Sequence, residues 1–138
     1  MPILNYTTSI TTERTASEIH RFLVSAGAQA VLNEYDDDGI LSSISFRIGS
    51  DIHFKLPINI SGVYNILTSD KKVPAKFRTH AQAARVAWRI IKSWVQAQIA
   101  IIEAGQVSVD QVFLPYLQDK NGTTMYQVLK DKNFKLLE

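Results

Sequence analysis

The chain has 138 residues, 46% apolar and 20% charged, which suits one domain with its own core and argues against a disordered polymer. It contains no cysteine, so disulfides, thiolate metal sites and thiol nucleophiles are excluded, as befits a reducing cytoplasm. The net charge of +2 hides a segregation: between Lys71 and Ile102 stand seven bases and no acid, leaving eight bases against thirteen acids elsewhere. The opening MPILNYTTSI lacks a basic segment ahead of a long apolar run, so no signal peptide is expected. The longest uncharged apolar stretch, 93–102, is too short for a bilayer and contains Gln96 and Gln98.

Residues 3–10 are rich in β-branched and aromatic side chains and read as a first strand. Thr15 and Glu18 have capping-box spacing, and Ile19, Phe22, Leu23 and Ala26 follow on one helical face up to a stop at Gly27. A second strand covers 28–35 and ends in the turn run Asp36, Asp37, Asp38, Gly39. Then Ile40, Ser42, Ile44, Phe46 and Ile48 alternate with Leu41, Ser43, Ser45 and Arg47, and Ile52, Phe54, Leu56, Ile58 and Ile60 alternate with His53, Lys55, Pro57 and Asn59. A three-residue loop, 49–51, makes Phe46–Phe54 and Ile48–Ile52 cross-strand neighbours, with Asp51 as the left-handed residue. Pro57 marks an edge or a strand end.

A short helix is expected over 63–67, then a basic, mobile connector over 69–78. Thr79 and Gln82 have capping-box spacing at the head of a long helix running to Gly105. Ala84, Ala87, Trp88, Ile91, Val95, Ile99 and Ile102 form one apolar side of it; Val86, Ile90, Trp94, Ala97 and Ile101 form another. Arg85, Arg89, Lys92 and Gln96 share the strip between. Such a helix needs cover on two sides, from the sheet and from the C-terminal segment. Ser108 and Gln111 open a short helix limited by Pro115, and Thr124 and Gln127 open a last one; the closing DKNFKLLE offers Phe134 and Leu136 for docking. The expected fold is a single α+β domain over 1–138: a small, mainly antiparallel sheet in the order β-α-β-β-β, packed on the long helix, with short C-terminal helices.

No catalytic constellation stands out, so the chain reads as a non-enzyme, with no cofactor and no metal. Glu34 and Asp36 to Asp38 lack cation-loop spacing and read as a solvated hairpin turn. His20, His53 and His80 are scattered, the serines of SSISF have no nucleophile elbow, and no Walker or dinucleotide motif is present. The basic set Lys71, Lys72, Lys76, Arg78, Arg85, Arg89 and Lys92 is the candidate phosphate-binding site, since guanidinium groups offer forked donors. Phe77, Trp88 and Trp94 could add stacking surfaces, although both tryptophans read as core. The helix arginines could instead pair with the acidic turn 36–38.

The run ARVAWRIIKSWVQAQIAIIEAG with VDQVFLPY and GTTMYQVL, together with ILNYTTSI, EYDDDGILSSISF and FKLP, resembles an uncharacterised family of small proteins from phages, prophages and other bacterial mobile elements. The similarity covers nearly the whole chain and implies a mobile-element context in a host bacterial cytoplasm. In that family the long helix carries acids near the positions of Ser93 and Gln96, so the acid-free run is a departure in this chain. With the charge pattern, the expected function is a non-enzymatic nucleic-acid or nucleotide-binding accessory protein. The alternative is an anti-defence or host-takeover protein that binds a host protein or sequesters a nucleotide signal, as an oligomer formed through the apolar helix.

Overall fold

The computed structural model describes residues 2–136. Among them the expected first strand is not formed: 3–10 runs through turns into an irregular extended segment, and the first regular element is a helix, α1 (Thr12–Ser25). Two forces override the strand propensity. Asn5 sits at a φ of 65°, which breaks an extended run. Ile3 and Tyr6 pack on a small cluster of Leu67, Val73 and Ala83 instead of joining a sheet. The cap of α1 also differs from expectation. Thr11, not Thr15, is the N-cap and accepts from the Arg14 amide, which places Thr15 and Glu18 inside the helix. The stop is as read: Gly27, at a φ of 106°, lets the amides of Gly27 and Ala28 reach the carbonyls of Val24 and Leu23.

Three antiparallel strands follow, β1 (Ala30–Tyr35), β2 (Leu41–Ile48) and β3 (Ile52–Lys55), in spatial order β1-β2-β3. Phe46 faces Phe54 and Ile48 faces Ile52, as the alternation requires, and the two phenyl rings stack with centroids 5.0 Å apart. Gly49, at a φ of 64°, takes the left-handed place assigned to Asp51. One bulge shifts the rest of the pattern. Glu34 faces Ser43 but Tyr35 faces Leu41, so Ser42 is an extra residue on β2. Leu41 thereby turns into the core, while Ile40 is only half-buried. The alternation beyond Lys55 does not extend the strand. Leu56 is buried, Pro57 ends the ladder, and Ile60 opens α2 (Ile60–Ser69), capped by the Asn59 side chain on the Gly62 amide.

The long helix, α3 (His80–Glu103), packs against the sheet and joins two hydrophobic clusters. Its largest core residue, Trp88, is fully buried and donates its indole N–H to the Leu41 carbonyl at 3.0 Å, beside the bulge. On the other side Trp94 meets Phe113 and Tyr116 edge-on, at centroid distances of 5.6 and 5.5 Å. Those rings come from α4 (Val109–Phe113) and the 3₁₀ turn Leu114–Tyr116, so the C-terminal segment meets α3 at Trp94, while α1 and α2 pack along the helix and Ala97 stays exposed. Ser108 and Gln111 form the reciprocal capping box read at the head of α4. The Ser108 hydroxyl also donates to Asp110 and holds that carboxyl below its ordinary value. The last helix, α5 (Met125–Asp131), is capped by Thr124. Beyond it Phe134 and Leu136 are exposed, with Phe134 tilted on Tyr126, and Leu137 and Glu138 lie outside the described residues. No described helix is long and apolar enough to cross a membrane.

Candidate anion-binding seam between α1 and α3

The seven predicted bases fall into three settings. Arg78 folds back into its own loop, donating Nε to the Val73 carbonyl and Nη2 to the Asp70 carbonyl, both at 2.9 Å. With Val73 buried and the 3₁₀ turn Ala75–Phe77 in place, the connector 69–78 is a built loop, not the loose one expected from its sequence. Lys71, Lys72 and Lys76 remain exposed on it, Lys76 lying over the Phe77 ring at 5.0 Å. Phe77 itself is spent edge-on against Tyr6. Arg85 is the second setting, since its Nε and Nη2 both donate to the Gln82 side-chain oxygen at 3.0 and 2.7 Å.

Arg89 and Lys92 form the third. They face α1, not the acidic turn, whose Asp36 carboxylate caps the amides of Asp38 and Ile40. Arg89 Nη1 donates to Glu18 Oε2 at 2.9 Å and to the Thr15 hydroxyl at 3.3 Å, and Lys92 Nζ stands 3.9 Å from the same Glu18 oxygen. Arg14 approaches the other oxygen, Oε1, at 3.6 Å from one turn earlier on α1. Arg21, a turn later, is exposed and lines the same concavity, of about 430 Å³, with Glu18, Phe22, Arg89 and Lys92. Among the described residues Arg21 has no acidic partner. The Nε and Nη2 groups of Arg89 likewise have no acceptor there.

Two helix strips therefore meet. Arg14, Glu18 and Arg21 recur at i, i+4 and i+7 on α1, matching Arg85, Arg89 and Lys92 on α3. That matching spacing was the available signal for the α1 half, which reading Glu18 as a cap residue concealed. Around the one carboxylate stand four cations, a surplus of three positive charges. The side chains of Glu18, Arg89 and Lys92 are only 16, 15 and 17% exposed, so these charges are less screened than on an open surface, whereas Arg14, 72% exposed, and Arg21 stand in solvent. Among the described residues no hydrogen bond or ion pair links the seam to the connector lysines, and roughly 20 Å of helix axis separates Thr79 from Lys92.

The remaining candidates are accounted for locally. Trp88 and Trp94 belong to the core or the aromatic seam and offer no stacking platform. His20 bonds Asn33 at 3.1 Å, His53 lies on the solvent side of the sheet, and His80 stacks on Tyr64. No group of three or more His, Asp or Glu placed to hold a metal ion occurs among the described residues. No protein-family model matches the chain, nor does any curated protein or solved structure to a significant degree.

Proposed function

We propose that the protein is a non-enzymatic binder of phosphate-bearing anions, nucleic acid or nucleotide, acting as an accessory of a phage or other mobile element in the cytoplasm of its bacterial host. The observation that supports this is the charge count at the α1–α3 seam, where Glu18 has Arg14, Arg89 and Lys92 within 4 Å and shares a concavity with Arg21, Arg89 and Lys92. A structural ion pair needs one cation per acid; the surplus positive charge is what a ligand anion neutralises. The exposed Lys71, Lys72 and Lys76 form a separate basic patch that a longer polyanion reaches. The host-protein alternative drew on a wide apolar helix face for self-association. The core and the C-terminal aromatics take up much of that face, and nucleotide capture is the form of the alternative that shares this seam.

The test is fluorescence anisotropy with labelled single-stranded DNA, RNA and duplex across a salt series. Arg21→Ala and Lys92→Ala each weaken binding roughly tenfold at low salt and flatten the salt dependence by about one phosphate contact. Glu18→Gln acts in the opposite direction and tightens binding. Undetectable binding at low salt, or indifference to all three substitutions, sinks the reading.

A further inference from the structure

Glu18 does more than balance its neighbours. Both of its oxygens are engaged, Oε1 by Arg14 and Oε2 by Arg89 and Lys92, so its carboxylate occupies the place a ligand oxygen would take. It is held there by the chain itself, which gives it a high effective concentration against any external competitor. A phosphodiester carries a single charge and offers these cations no more than Glu18 already does. A phosphate monoester carries about −1.5 to −2 at pH 7 and presents three strong acceptor oxygens. It can satisfy Arg14, Arg89 and Lys92 together, with Arg21 at the rim and the unused Nε and Nη2 of Arg89 as a fork.

Resting on the anion-binding reading above, we propose that the seam selects phosphate monoesters, whether on nucleic-acid ends or on free nucleotides, over the diester backbone, with Glu18 as the selectivity device. An internal monoanion sets a threshold that only a more highly charged group exceeds, which is specificity by a built-in competitor. Glu18 is a side chain on the surface of a helix, so a change of rotamer clears the site without moving the backbone.

The experiment uses the full chain and one oligonucleotide sequence labelled at its 3′ end, prepared with either a 5′-phosphate or a 5′-hydroxyl, with AMP and 3′,5′-cyclic AMP as competitors. The 5′-phosphate form binds roughly tenfold more tightly. AMP displaces the probe at concentrations where cyclic AMP, which has the same base but a diester, does not. Lys92→Ala shrinks both differences. A preference for the phosphorylated end with no competition by AMP supports the selection and assigns it to nucleic-acid ends. Equal, salt-sensitive binding of both oligonucleotides, with AMP and cyclic AMP competing equally, overturns the selection and leaves the anion-binding reading standing. No binding of any probe at low salt overturns both.

Discussion

Helix α3 has two seams built on opposite principles. Toward the C-terminal segment, Trp94 meets Phe113 and Tyr116, and Phe113 in turn meets Phe46 edge-on at 5.3 Å. That seam is held by area and ring geometry. Toward α1 the helix is held in part by charge, and the charges are deliberately unequal in number, with Glu18 facing three cations within 4 Å. A seam with surplus charge is stable enough to persist and still has capacity for an anion.

The sharpest way to break the contrast is Phe113→Ala. Phe113 is fully buried, so its loss costs about 3–5 kcal/mol, read as a lower urea midpoint, with no dependence on salt. A cost below about 1 kcal/mol would mean that the aromatic seam does not hold the C-terminal segment. Trp88→Phe sits at the junction of helix and sheet. It strands the Leu41 carbonyl at the bulge and costs about 1–3 kcal/mol, again salt-independent. The smallest effect is expected from Glu18→Gln, about 1 kcal/mol or less, because the pair is partly solvated and one charge is replaced by an amide. Its cost shrinks as salt is added, which neither aromatic substitution shows; a cost unchanged between low and high salt would remove the distinction between the seams.

What could be read from the residues follows from the same physics. The pairing of Phe46 with Phe54 was legible because a period of two admits only one register that buries both. Leu41 was not, since a one-residue bulge inverts the alternation and leaves no mark in composition. The β-like segment 3–10 was misleading because the carbonyls of Tyr6 and Thr8 and the side chains of Ile3 and Tyr6 are claimed by distant partners, and tertiary contact overrides propensity. At the site, the strip Arg89 and Lys92 was visible from helical spacing, and its partner was not. Glu18 looked like a cap because the true cap, Thr11, lies four residues before Thr15, and with Glu18 misassigned the flanking Arg14 and Arg21 lost their meaning. Arg78 and Arg85 counted equally in the charge tally, yet their donors serve backbone and side-chain oxygens nearby, which charge alone cannot reveal.

Gln82 has a consequence for the order in which the molecule is made. Its buried side-chain amide donates to the carbonyls of Tyr6 and Thr8, across 76 and 74 residues of sequence, instead of closing the capping box with Thr79. On the ribosome the N-terminal arm emerges first, and its Tyr6 and Thr8 carbonyls have no such donor until the start of α3 has followed. Docking of the arm through these bonds thus waits for the first turn of α3, which ties the order of assembly of the N-terminal segment to the arrival of residue 82.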